Sequence, residues 1–188
     1  MQLLDKVSFS AEDGDHLIFT GDLINKGPDS IGVVDLAREL SASCVRGNHE
    51  DRVLLLRREM AATNTLEGPD EVGSYFYTNR ETRERALARS LNDEHAHWLD
   101  TCPVILDVGQ IPGMGRVAVV HGGLVPGVEL EKQDPLSVMT MRTIDLETHM
   151  PSPSSEGMNW AKVRRLIARR GFFSILFCLK GSHELTPS

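Results

Sequence analysis

Three short clusters in this sequence carry side chains able to hold a metal ion or move a proton. They are Gly21-Asp22-Leu23-Ile24-Asn25-Lys26-Gly27, Gly47-Asn48-His49-Glu50 and His121-Gly122-Gly123. A carboxylate, an amide carbonyl and an imidazole together make a mixed oxygen and nitrogen donor set. Such a set suits manganese, iron or zinc better than the oxygen-only cages of magnesium or calcium. The flanking glycines let the backbone turn tightly and let a ligand come close. Gly-Asp alone is a common turn dipeptide. Gly-Asn-His-Glu is expected at roughly one position in 10⁵ to 10⁶ at average composition, and the three clusters in this order are not a chance assortment.

The elements that must position these clusters read as an alternation of strand and helix. Residues 17–20 form a short apolar run that stops at Gly21-Asp22, and apolar residues then recur at helical spacing from 30 to 40, with Asp29 or Ser30 as N-cap. Residues 43–45 read as a second strand ending at the Gly47 cluster, followed by a charged helix over about 50–60. This is a βαβ pattern with parallel strands, and ligands collect at the carboxyl ends of such strands. Further along, 80–98 reads as one highly charged helix, and 103–108 and 116–120 read as strands joined by a Gly-rich hairpin link. The second of these strands runs into His121. Residues 126–157 read as an irregular cover over the sheet.

Length and composition set the limits. The 188 residues suit one domain with a substantial core; 40% are apolar and 25% charged, as in a globular rather than a disordered chain. A formal net charge of −7 argues against a general DNA or RNA binder, whose footprint is basic. The three cysteines, Cys44, Cys102 and Cys178, suggest neither a zinc knuckle nor a disulfide framework; they read as small buried hydrophobes in a reducing, cytoplasmic setting. The apolar run over 172–179 is too short to span a bilayer, so no transmembrane segment is expected. His95 and His97 lack the i,i+4 spacing of a helical metal pair and read as surface residues. The basic run over 162–170 reads as a solvated tail.

The clusters resemble the second, third and fourth motifs of the calcineurin-like metallophosphoesterases, in their phosphoprotein phosphatase branch. The Lys26-Gly27-Pro28 variant and the adjoining Val125-Pro126-Gly127-Val128 look closest to bacterial diadenosine-tetraphosphatase-like proteins and to fungal serine/threonine phosphatase relatives. The resemblance implies an α/β fold of the metallophosphatase αββα sandwich type. It implies two divalent metal ions (Mn, Fe or Zn), with Asp22 bridging both and Asn48 and His121 binding the second. His49 would protonate the leaving group, and Asn25 stands where several relatives have an aspartate that orients that histidine. Lys26 and Arg142 would contact substrate phosphate. The implied reaction is hydrolysis of a phosphate monoester or phosphoanhydride by metal-activated hydroxide. The substrate would be a phosphoprotein, a dinucleoside polyphosphate or polyphosphate.

The resemblance covers residues 1–163 and sets two further expectations. An Asp-x-His-Gly motif on an opening strand, and a late Gly-His motif on C-terminal strands, are not among these residues. The fold is therefore expected to be incomplete, with ligands mainly for the second metal. Residues 164–188 read as a non-family tail, poorly packed, in which His183 is not a ligand. The rival to an active hydrolase is a catalytically impaired homologue that binds a metal or a partner.

Overall fold

The computed structural model describes residues 2–66, 78–160, 162 and 174–176. Residues 163–170 of the basic run, His183 and Cys178 lie outside them. A short helix α1 (Gln2–Lys6) precedes strand β1 (Ile18–Phe19), helix α2 (Ser30–Glu39), strand β2 (Ser43–Cys44) and helix α3 (Asn48–Ala62). Strands β1 and β2 pair in parallel, Ile18 opposite Ser43 and Phe19 opposite Cys44, which is the expected βαβ unit. Asp29 is the N-cap of α2, its carboxylate accepting from the Gly32 N–H at 2.8 Å. Val34 and Ala37 on α2 and Val53, Leu54 and Met60 on α3 are buried in one apolar cluster with Leu23 and Ile24. Each fully buried aliphatic side chain there contributes roughly 1.5–3 kcal/mol.

The expected single helix over 80–98 is two helices, α4 (Asn79–Ser90) and α5 (Asp93–Thr101). Asn92 makes the break, because its side-chain oxygen accepts from the His95 N–H at 2.7 Å and so starts a new helix. His95 is not a surface residue. It is buried at 6% exposure, and its Nε2 meets Asp35 Oδ1 of α2 at 2.8 Å. His97 is exposed.

Strands β3 (Ile105–Ile111) and β4 (Gly115–Val120) form the expected antiparallel hairpin, with a register shift between Asp107 and Gly109. Strand β4 is central: β3 lies on one edge and β7 (Ser174–Leu176) pairs with the other in parallel. Burial of all four residues from Val117 to Val120 explains why that stretch is continuously apolar. The expected irregular cover holds regular pieces: α6 (Pro135–Thr140) and the antiparallel pair β5 (Thr143–Ile144) and β6 (Pro151–Ser152). Val138, Met141, Ile144 and Trp160 pack with Val120 and Leu124 in a second apolar cluster. Among the described residues no helix is long and apolar enough to cross a membrane.

Cys44 and Cys102 form a disulfide, contrary to the expectation of unpaired cysteines. Their Cα atoms are 5.3 Å apart although 58 residues separate them in sequence, so spacing alone gave no sign of the pairing. The bond ties β2 to the C-cap of α5, where the Arg46 N–H also donates to the Pro103 carbonyl at 2.8 Å. Cys102→Ser should lower the stability of the oxidised chain by about 4 kcal/mol, the loop-entropy value for a cross-link of this span. Urea denaturation with and without reductant checks this; coincident midpoints for both proteins under oxidising conditions would contradict it.

Candidate metal centre

Strand β1 hands the chain to Gly21 at φ +85° and Asp22 at φ +59°, both in the left-handed region. Gly47 stands immediately before the first turn of α3. A Cβ on Gly21 would lie 2.7 Å from His121 Nδ1 and 2.9 Å from Gly47 Cα, and one on Gly47 would lie 2.5 Å from the Asp22 nitrogen. Only glycine at both positions lets the three loops meet.

Glu50, on the first turn of α3, holds two of these loops together. Its carboxylate is fully buried and accepts from the Asp22 N–H at 2.7 Å, the Gly47 N–H at 2.9 Å and the Ile24 N–H at 3.1 Å. Burial pushes the Glu50 carboxyl above its ordinary pKa, and the three backbone donors only partly offset that. Sequence reading quoted Glu50 within its motif without giving it a task. The available signal was its place at the third helical position, from which a glutamate reaches back to the N-cap.

The Asp22 side chain is 5% exposed and lies at the centre of the cluster. Its Oδ1 is 3.2 Å from His121 Nε2 and accepts from the His49 N–H at 3.3 Å, and its Oδ2 meets the Lys26 ammonium. Burial alone would raise the Asp22 carboxyl, but His121, Lys26 and His49 outweigh it and hold it well below the usual range. His121 Nδ1 lies 2.8 Å from the Thr20 carbonyl, which can only accept. That nitrogen therefore carries the proton, and Nε2 faces the Asp22 carboxylate. An imidazole fixed through Nδ1 with Nε2 turned to a carboxylate is the arrangement of a metal-binding histidine. Burial lowers the His121 pKa, but the Asp22 contact dominates and raises it.

Asn48 opens α3 beside this pair and lines a cavity of about 500 Å³ that Arg52, Arg80, Leu136 and Thr140 also line. Among the described residues no three His, Cys, Asp or Glu side chains converge to hold an ion by themselves. Asp22 and His121 fit part of the coordination of one divalent ion, and the His49 N–H beside Asn48 meets Asp22. The ammonium of Lys26, expected on substrate phosphate, meets Asp22. Arg142 is exposed, and its carbonyl accepts from the Trp160 N–H at 3.0 Å. Its neighbour Met141, with Val138 and Met139, abuts the His121 loop at Gly122.

Asn25, at φ +67°, places its Nδ2 3.0 Å from His49 Nδ1 and 3.3 Å from Glu84 Oε1. Glu84, on α4, has a side chain 1% exposed and pairs with Arg52 and with Arg80, the latter at 2.8 Å. Burial alone would raise its pKa, but Arg80 and Arg52 bring it below the ordinary value. Nothing in the sequence marked Glu84, which lies 59 residues from Asn25.

A strand-loop-helix scaffold carrying Asp22, Asn48-His49 and His121 at one point is the frame of a metal-dependent phosphoesterase. Residues 1–178 match the calcineurin-like phosphoesterase family, and the chain belongs to it. It is 33% identical over 140 residues to a symmetrical bis(5'-nucleosyl)-tetraphosphatase of Nitrosospira multiformis, covering 73% of this chain and 43% of that protein. It is 38% identical over 77 residues to serine/threonine-protein phosphatase 1 of Salmonella typhimurium, covering 41% of this chain and 34% of that one. A crystal structure of a candidate diadenosine tetraphosphatase superposes with a TM-score of 0.66 at 30% identity, covering 86% of this chain and 62% of that one. The chain spans less than half the length of these curated relatives.

Glu50→Ala should cost about 3 kcal/mol or more, because it strands three buried N–H donors, and Glu50→Gln roughly half that. Urea denaturation reads both, and a Glu50→Ala loss below about 1 kcal/mol would contradict the clamp. A second test concerns Glu84, whose lowered folded-state pKa means that its ion pairs stabilise above the ordinary carboxylate value of 4.5. That contribution is lost as pH falls through the folded value. Glu84→Gln should therefore be less stable than the native chain at neutral pH, with the gap closing in acid. A gap independent of pH would contradict it.

Proposed function

We propose that this chain forms the catalytic part of a metal-dependent phosphoesterase acting on phosphoanhydrides, with a dinucleoside polyphosphate as the substrate class. The observation that carries the proposal is the convergence of Asp22, His121 and the Asn48-His49 end of α3 on one point beside an open cavity. Relatives named as bis(5'-nucleosyl)-tetraphosphatases support the substrate class over a phosphoprotein.

Asp22, Asn48 and His121 would hold a divalent ion, of the Mn, Fe or Zn group by donor type. The chemistry such an ion supplies is acidification of a water and neutralisation of phosphate charge. His121 is oriented for this by the Thr20 carbonyl, and Asp22 by Glu50 through its own N–H. His49 carries a proton for the departing oxygen, with its ring anchored by Asn25. Lys26 keeps positive charge against the Asp22 carboxylate, where phosphate oxygens would also gather. A cytoplasmic setting is compatible with this reading if Cys44 and Cys102 are reduced there, since glutathione keeps cytosolic thiols unpaired.

A second reading, a metal- or partner-binding module without turnover, draws on Asp22 and His121 as a close acid and histidine pair, where no three His, Cys, Asp or Glu side chains converge among the described residues. Turnover of diadenosine tetraphosphate and of p-nitrophenyl phosphate with Mn²⁺ separates the two. The proposal expects hydrolysis, reduced at least about 100-fold by His49→Ala, which removes the general acid, and abolished by Asp22→Asn. Metal binding by calorimetry with no turnover by the folded chain would favour the second reading and sink the first.

A further inference from the structure

We infer that Glu84 is a positioning residue: it locks the Asn25 carboxamide so that the amide NH₂ faces His49 Nδ1, fixing the ring as the Nε2–H tautomer. The inference refines the phosphoesterase reading, which gives His49 its task, and its physical basis is geometric. An asparagine side chain can present either its oxygen or its nitrogen to a histidine. The two ends have nearly the same shape, so the hydrogen-bond partners decide between them.

Here the second partner decides. The Asn25 terminus that meets His49 at 3.0 Å also meets Glu84 Oε1 at 3.3 Å. A carboxylate only accepts, so that terminus must be the NH₂ group, one hydrogen going to Glu84 and the other to His49 Nδ1. Reversing the amide would set its oxygen against a buried carboxylate. Arg80 donates to the same Oε1 at 2.8 Å and Arg52 to Oε2, and both hold the Glu84 carboxyl below its ordinary pKa. The Asn25 backbone is held independently, its N–H donating to Ser30 Oγ at 3.0 Å.

A histidine nitrogen that accepts from an amide cannot carry a proton, so the neutral ring's hydrogen resides on Nε2. An aspartate at position 25 would do the opposite, accepting from Nδ1–H. The charge that orients the histidine is thus supplied one residue further out, from a different helix, and through an amide that reverses the ring's donor and acceptor sides.

Long-range ¹H–¹⁵N correlation spectra of the full ¹⁵N-labelled chain at about pH 8, above the ordinary histidine range, read the tautomer directly. The His49 signals are assigned by their loss in His49→Ala. The native chain should show His49 with an unprotonated Nδ1 and a protonated Nε2. Glu84→Gln should give mixed or reversed tautomers, and Asn25→Asp should move the proton to Nδ1. A native spectrum with the proton on Nδ1, or a folded Glu84→Gln with the native pattern, would overturn the inference. If Glu84→Gln does not fold, Asn25→Asp decides: a spectrum like the native one overturns it, a reversed one supports it. The readout needs neither metal nor substrate, so a chain without turnover refutes the phosphoesterase reading while leaving this inference standing. Where turnover is measured, Glu84→Gln should lower kcat more for an alkyl than for an aryl phosphate, with KM little changed. A purely structural role for Glu84 would give equal losses.

Discussion

The candidate site depends on one buried carboxylate. Two loops, each following a short parallel strand, bring their backbones together at Gly21-Asp22 and Gly47, and Glu50 accepts an N–H group from Asp22, Ile24 and Gly47. Without that acceptor three donors would be stranded in a region closed to water, at a cost of about 1–3 kcal/mol each. With it, the left-handed turn at Asp22 is held, and the His49 N–H at the start of α3 points at the Asp22 side chain. Burial makes the Glu50 charge costly, and the three backbone N–H donors offset part of the cost.

The clamp works because its surroundings are rigid. Leu23 and Ile24 anchor the first loop in the apolar cluster shared with α2 and α3. Val120 and Leu124, on either side of the His121 loop, anchor that loop in the other cluster. Asp22 and His121 therefore meet where two separately packed layers abut, and their 3.2 Å approach is set by packing on both sides. The Cys44–Cys102 disulfide and the Arg46–Asp100 ion pair reinforce the same end of β2 by tying it to α5.

Much of this was legible in the sequence because the chemistry sits in contiguous motifs, each announced by a glycine just after an apolar run. The parallel β1–β2 unit and the β3–β4 hairpin followed from the same local patterns. What escaped reading was long-range. Glu84 reaches Asn25 from a helix far along the chain, and Cys44 finds Cys102 only through the fold. His95 looked solvent-facing because its neighbours are charged, yet Asn92 starts a new helix there and turns His95 toward Asp35. The single helix expected over that stretch missed the capping role of Asn92, which competes with helix continuation at a position where periodicity is unbroken. The assignment of Lys26 and Arg142 to substrate phosphate came from resemblance, and it remains a proposal alongside the observed contact of Lys26 with Asp22.

The central claim is that the meeting point of the three loops is a divalent-metal site. Titrating the ¹⁵N-labelled chain with Mn²⁺ tests it most directly, because a paramagnetic ion broadens the amide signals nearest to it. The account predicts that Gly21, Asp22, Asn48, His49 and His121 broaden first, and that Asp22→Asn suppresses the effect. Broadening confined to other acidic surface, or none at these residues, would contradict it.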